Sequence, residues 1–183
     1  MIVAIIPAKG GSTRLPNKNM APLNGRPMLD YSIDQALACD RIEEIYVSTD
    51  SDAIAEHAAA RGVKVIRRPE TLGGDVPLND VIRHAFDHMG GVDVSTLVCL
   101  QPDHPDRNLS IDEVLDTFIR EGADRLYCTE ADGTKNGAHY VTSRHFWDTE
   151  EIRKEVVLID DCTNVHYQED LDRAAEILGA RAG

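Results

Sequence analysis

A surplus of positive charge is what this chain most conspicuously lacks. It carries 19 lysines and arginines against 32 aspartates and glutamates, a formal net charge of −13 over 183 residues. That balance excludes a surface built to coat nucleic acid or an anionic membrane, since both demand a basic face. An anionic ligand must instead meet a local concentration of cations, and Lys9, Arg14, Lys18, Arg67 and Arg68 are such concentrations. Cysteine is also scarce. Cys39, Cys99, Cys128 and Cys162 lie far apart, with no pair at metal-ligand or redox spacing, and three sit inside apolar stretches. This is the pattern of reduced core thiols in a cytoplasmic protein. Long apolar runs are missing too. The opening MIVAII has no basic flank and ends after six residues, short of a signal peptide or membrane span, and reads as the first strand of a buried sheet. With no repeat, no low-complexity linker and 42% hydrophobic content, one domain over residues 1–183 is expected.

What is present is a rhythm. IVAII (2–6), EIYVST (44–49), VKVIRR (63–68) and TLVCLQ (96–101) are short and rich in β-branched residues, as strands buried on both faces should be. Amphipathic helices fall between them. The first covers about 28–39 with Met28, Leu29, Ile33, Ala36 and Leu37 inward. The second starts after an Asp50 or Ser51 cap and ends at Gly62. The third has Pro77 near its first turn, carries Val81, Ile82, Ala85, Phe86 and Met89, and stops at Gly90 and Gly91. The fourth opens with Ser110 and Glu113 at capping-box spacing, followed by Val114, Leu115, Phe118 and Ile119. After Arg125 come three strand-like runs, RLYCTE, GAHYVTS and EVVLID, and a last helix near 168–178 with Leu171, Ala174, Ala175 and Leu178 inward. The βαβαβαβα order predicts an α/β fold with a mainly parallel mixed sheet between two helix layers. Ligands in such sheets bind beyond the carboxyl ends of the strands, where the loops 7–19, 69–77 and 102–109 should emerge.

The first of these loops reads AKGGSTRLPNKN, from Ala8 to Asn19. It contains neither the phosphate-loop pattern GxxxxGK followed by Ser or Thr nor the dinucleotide pattern GxGxxG. What remains is a Gly-rich turn able to expose backbone N–H groups, with Lys9, Arg14 and Lys18 to neutralise charge. Two readings stay open on the loop alone, a phosphate cradle and a solvated basic turn.

Further along, the chain resembles the sugar-acid cytidylyltransferases, the CMP-sialic acid and CMP-Kdo synthetases. PAKGGSTRLPNKN stands where the sialic branch has a strand followed by a pattern like ARGGSKRxPxKN. PLNGRPML (22–29) is similar to PLxGKPLI, and IYVSTDSDAIAEHAAARGVKVIRRPETL (45–72) follows IVSTDSxxIAxxAxxxGxxVxxRPxxL. VIRHA (81–85), LQP (100–102) and NGAHY (136–140) match VIxHA, LLQP and NGAIY. The resemblance runs from residue 2 to about 140 and resumes near 164. It implies a nucleotide-diphospho-sugar transferase (Rossmann-like) fold. It also implies transfer of CMP from CTP to the hydroxyl of a sugar acid or sugar phosphate, with release of pyrophosphate.

The resemblance further implies a set of roles. Ala8, Lys9, Gly10, Gly11, Ser12, Arg14 and Lys18 would form the triphosphate cradle, with Lys9 replacing the usual arginine. Asn19 would fix the loop or the nucleotide, and Arg68 would lie near them. Ser12 and Asn19 can equally tie the turn to itself. On the acceptor side stand Gln101, Asn136 and His104, and Lys135 is a further cation beside that segment. Lys18, Arg14 and Asp103 are the candidates for catalysis, which in this reaction is mostly positioning and charge neutralisation.

The metal site departs from the family pattern. The sialic branch closes with DIDTxxDL, whose carboxylates hold magnesium, whereas this chain reads NVHYQEDL, so Asn164 and His166 occupy the acidic positions. Asp103, in CLQPDHP, stands where the Kdo branch places a metal-binding aspartate. A divalent ion, Mg2+ or Mn2+, is therefore expected on Asp103, His166 and Asn164. Imidazole favours manganese or cobalt over magnesium, and Asp160 and Asp161 are fallback ligands. His104, Asp106 and Arg107 replace acceptor-side residues of either branch. Shortening after Gln101 predicts a smaller acceptor and a weaker basis for a homodimer. Two alternatives remain, a degenerate nucleotide-binding protein and a nucleotidylyltransferase using another base.

Overall fold

The computed structural model describes residues 1–74, 76–89 and 91–182, the side chain of Ala182 excepted. Among the described residues nine strands appear in order: β1 (Ile2–Pro7), β2 (Pro22–Leu23), β3 (Arg26–Pro27), β4 (Glu44–Thr49), β5 (Lys64–Arg67), β6 (Thr96–Cys99), β7 (Arg125–Thr129), β8 (Lys135–Ser143) and β9 (Glu155–Ile159). Helices α1 (Leu29–Ala38), α2 (Asp52–Ala60), α3 (Leu78–Asp87), α4 (Ile111–Glu121), α5 (Arg144–Thr149) and α6 (Gln168–Ala182) connect or follow them. Seven strands form one sheet in the order β5-β4-β1-β6-β8-β7-β9, while β2 and β3 pair as a small hairpin.

All neighbours in the large sheet are parallel except β8, which runs against both β6 and β7. The reversal follows from the short turn joining β7 to β8. Glu130 N–H donates to Thr134 O at 2.8 Å, and Gly133 supplies the positive φ of 88° that the turn needs. A connection that short joins antiparallel strands only, because a parallel return needs a crossover of a dozen residues or more.

The strands bury both faces, as their composition predicts. On β1, Ala4 and Ile6 face the layer of α1, α2 and α4, and Val3 and Ile5 face that of α3 and α5. Leu29, Ile33 and Ala36 of α1 and Val114, Leu115 and Phe118 of α4 complete the first layer. Each such buried aliphatic side chain contributes roughly 1.5–3 kcal/mol. Leu37 and Ile119, read as inward, are instead 50% and 53% exposed, since the heptad-like stripe is narrower than their positions require. The Ser110–Glu113 capping box is formed, and Ser51 rather than Asp50 caps α2. The expected stop at Gly90 lies outside the described residues, as does Asp75 of the 69–77 loop; α3 itself ends at Asp87.

Two elements were not legible in the periodicity. Helix α5 is only six residues long, and buries Phe146 and Trp147 under α3. The small hairpin carries a third apolar cluster, Leu23 and Met28 against Val165, Leu171 and Ala174, which clamps α6 over the opening loop. Among the described residues no helix is long and apolar enough to cross a membrane.

Candidate active site

The strand order changes direction at β1, with β4 on one side and β6 on the other. The loops leaving β1, β5 and β6 converge beside that point, as the sheet rule requires. Their convergence forms a cleft lined by Pro7, Lys9, Lys18, Asn19, Arg68, Gln101 and Asp103, among others. A contiguous cavity adds Ser12, Thr13, Arg14 and His166.

The opening loop is held by its own backbone and by Asp50. Ala8 is buried and its N–H donates to Ser48 O at 2.9 Å; Gly10 N–H donates to Asp50 Oδ1 at 2.8 Å. These two N–H groups anchor the loop to β4 and to the residue after it. Gly10 is required for another reason: a Cβ there would lie 2.8 Å from Ser51 Cβ. Gly11 has open space around it. Ser12 Oγ accepts from Leu15 N–H at 3.4 Å, and Asn19 Nδ2 donates to Lys9 O at 2.9 Å, so both tie the turn together. Asn17 takes a left-handed φ of 54° just before the short 3-10 helix Lys18–Met20, and this turn aims Lys18 back across the cleft.

Lys18 is the hinge of the site. Its Nζ donates to Asp103 Oδ2 at 2.9 Å and to Val165 O at 2.8 Å. Asp103 Oδ1 in turn accepts from His104 Nδ1 at 3.1 Å, while His104 Nε2 accepts from Gly137 N–H at 3.2 Å, which assigns the proton to Nδ1. Burial pushes the Asp103 carboxyl up, but His104 and Lys18 outweigh it and hold it well below the usual range. His104 is 2% exposed and fully committed to these contacts, so it positions Asp103 and does not meet a substrate. That corrects its assignment to the acceptor side.

Arg68 is also buried, yet its Nε and Nη2 have no hydrogen-bond partner among the described residues, and Asp50 Oδ1 lies 3.6 Å away. Burial lowers its pKa and Asp50 opposes this. A buried guanidinium with unmet donors lining a cleft is a place for an anion, because leaving such donors unpaired is costly.

Gln101 lines both of these cavities and a third formed with Asn79, Arg125, Tyr127, Lys135, Asn136 and Tyr140. Lys135 Nζ sits 4.0 Å from the centroid of the Tyr127 ring, and Arg125 pairs with Glu155. Asn136 is partly spent on structure, donating to Asp160 O at 2.9 Å and accepting from Ala138 N–H at 3.1 Å. Arg125 and the two tyrosines escaped the sequence reading, since only the antiparallel pairing of β7 and β8 brings them to Gln101.

His166 joins Asp103 on the cavity wall, but Asn164 does not line it. Burial lowers the His166 pKa and the Lys18 and Arg14 charges add to this, leaving a neutral imidazole. Asp160 and Asp161 are elsewhere. Asp160 is buried and accepts from Asn108 N–H at 2.9 Å, and Asp161 Oδ1 accepts from Ala131 N–H at 3.2 Å. Asp106 and Arg107 are internal as well: Asp106 accepts from Thr163 N–H and Oγ1–H at 2.8 Å each, and Arg107 is 4% exposed.

This fold is shared with solved nucleotide-handling proteins. CMP:2-keto-3-deoxy-manno-octonic acid synthetase, complexed with CTP, superposes with a TM-score of 0.78 at 15% identity, covering 98% of this chain and 99% of that one. HddC from Yersinia pseudotuberculosis, complexed with GMP-PN, reaches 0.68 at 16% identity over 97% of this chain and all of the other. A sequence profile described as cytidylyltransferase matches residues 3–145, and the chain belongs to that family. A curated relative, 8-amino-3,8-dideoxy-manno-octulosonate cytidylyltransferase of Shewanella woodyi, is 36% identical over 121 residues, 65% of this chain and 48% of the relative. The Shewanella baltica protein of the same name is 35% identical over the same shares. The chain thus spans about half the length of the curated relatives it matches.

Proposed function

We propose that this protein transfers CMP from CTP to the hydroxyl of a small sugar acid or sugar phosphate, releasing pyrophosphate. The observation that carries the reading is Gln101, shared by a cation-lined cleft and a second cavity with its own lysine and arginine. One side suits a triphosphate, the other an anionic acceptor, and the reacting atoms meet between them. Lys9, Arg14, Lys18 and Arg68 neutralise the triphosphate as pyrophosphate leaves, which is where electrostatic stabilisation is worth most. Gln101 and Asn136 orient the acceptor, and Lys135 with Arg125 meets its carboxylate or phosphate. Asp103 stays ionised, so it serves as a counter-charge for Lys18 and not as a proton acceptor. The four free cysteines agree with a reducing, cytoplasmic setting.

The donors available for a divalent ion are one carboxylate, already shared with Lys18 and His104, and the neutral His166 imidazole. That set fits an ion that arrives with the nucleotide and takes most of its ligands from phosphate oxygens and water. When bound, such an ion neutralises the phosphate charge that the side chains leave over. Turnover is expected to be higher with Mn2+ or Co2+ than with Mg2+, because imidazole is a poor ligand for magnesium. His166→Ala removes that advantage. Magnesium working best, with the variant unimpaired, would sink the assignment.

The function itself is tested by pyrophosphate release across the four nucleoside triphosphates, with a panel of sugar acids and sugar phosphates. CTP-dependent release with an anionic sugar is the expected result. Tight CTP binding with no release for any acceptor would replace the enzyme by a nucleotide-binding protein. Gly137→Ala is a sharper probe of geometry. The new Cβ would stand 2.0 Å from Gln101 Nε2 and 2.4 Å from its Cδ, so Gln101 must leave its position. A displacement of that size at a substrate-orienting group lowers kcat/KM by about 10²-fold. Steady-state rates at varied acceptor concentration check it.

A further inference from the structure

A second cluster of metal-type donors lies away from the cleft. Cys128 on β7, His139 on β8 and Asp160, just past β9, are all buried, and one ligand atom from each lies within 4.8 Å of the others. They are brought together by an irregularity in the sheet. The register jumps from Tyr127–Tyr140 to Cys128–Asn136, so residues 137–139 bulge from β8. On the other side of β7, Asp160 N–H donates to Thr129 O at 2.9 Å, which brings Asp160 beside the same strand end.

The two separations from His139 are close to those of ligands around an ion. His139 Nδ1 is 3.5 Å from Asp160 Oδ2 and 3.8 Å from Cys128 Sγ. The first exceeds a good N–H to O hydrogen bond. Zinc bonds of about 2.0–2.2 Å to nitrogen and oxygen and about 2.3 Å to sulfur set tetrahedral edges of roughly 3.4–3.7 Å. The other ring nitrogen, Nε2, has no partner among the described residues. Asp160 Oδ1 is fixed by Asn108 N–H at 2.9 Å and Asn108 Nδ2 at 3.0 Å, while Oδ2 accepts from Leu109 N–H at 3.4 Å and faces His139 Nδ1.

We propose that Cys128, His139 and Asp160 form a structural site for one zinc-class divalent ion, distinct from any ion carried by the nucleotide. Thiolate, imidazole and carboxylate together select zinc or cobalt over magnesium, which takes oxygen ligands. The ion would link β7, β8 and the segment after β9. That segment leads to Val165, whose carbonyl holds Lys18, so the site would brace one wall of the cleft.

The test uses the full chain, stripped with a chelator, re-equilibrated with zinc alone, and passed through gel filtration before metal analysis. One zinc per chain is expected in the native protein and in the Asp103→Asn, His166→Ala double variant, which removes donors of the nucleotide side. Cys128→Ser and Asp160→Asn are expected to bind at least about tenfold more weakly. Cobalt added to the stripped native protein should give intense tetrahedral bands with a thiolate charge-transfer band, and this readout needs no variant to fold. No retained zinc together with no thiolate band overturns the site. So does full stoichiometry in a folded Cys128→Ser protein, or its loss in the double variant alone.

Discussion

Replacing Lys18 by methionine lowers kcat by about 10²–10³-fold, the loss typical when one preorganised electrostatic stabiliser is removed. Lys18 does two things at once. Its charge stands in the cleft where phosphate charge accumulates, and its Nζ ties Asp103 on the β6 loop to Val165 on the segment before α6. Methionine keeps the length and apolar stem but leaves Asp103 with only the His104 donor and Val165 O with none. The lost charge acts on kcat, and the untied wall acts on KM, so both change, with kcat the more. Lys18→Arg keeps the charge but cannot reproduce a compact ammonium bridging two oxygens, and it recovers only part of the rate. Pyrophosphate release under saturating CTP measures the effect. A loss under tenfold for Lys18→Met would remove Lys18 from the catalytic machinery.

The second large effect is on stability. Arg107 is buried, and its guanidinium donates to Ala138 O, to Ser32 Oγ at 3.0 Å, to Gln35 Oε1 at 3.3 Å and to Gln101 O. It therefore joins α1, β8 and the loop that carries Gln101. Burial lowers its pKa while the buried thiols and the Asp103 and Asp160 carboxylates oppose this, so the cation is held by partners on several sides. Arg107→Met fills much of the volume yet leaves Ala138 O without its donor, Gln101 O with only the His104 N–H, and the nearby carboxylates without their counter-charge. The expected cost is about 3–5 kcal/mol. For a chain of this length that corresponds to a Tm lower by about 10 °C. Thermal unfolding followed by circular dichroism checks it, and a shift under a few degrees would show that water replaces the guanidinium. Activity falls in the folded fraction as well, because Gln101 loses one of the bonds that hold its backbone.

The strands were legible in the sequence because they are buried on both faces. Runs such as IVAII and EIYVST have little alternative as strands, and β4 spans Glu44–Thr49 as read. The caps were legible for a local reason, since Ser110 and Glu113 need only each other and the backbone between them. The opening loop was legible by its likeness to a family pattern, and its cations do line one cleft. His104 and Arg107 were not. A histidine and an arginine beside a cleft motif read as ligand groups, and nothing local says that Gly137 and Ala138, some thirty residues on, take up their hydrogen bonds.

By itself the sequence determined the α/β alternation, the helix ends and the grouping of cations at the ends of β1 and β5, because these depend on neighbours within a turn or two of chain. Tertiary structure alone decided which polar groups face a ligand and which are spent on the scaffold. It turned Ala8 and Gly10 into anchors, left Arg68 with unmet donors, and gathered Cys128, His139 and Asp160 across a bulge that no spacing rule registers. The physical reason is that a buried polar side chain must find a partner wherever the fold brings one, and those partners come from other strands.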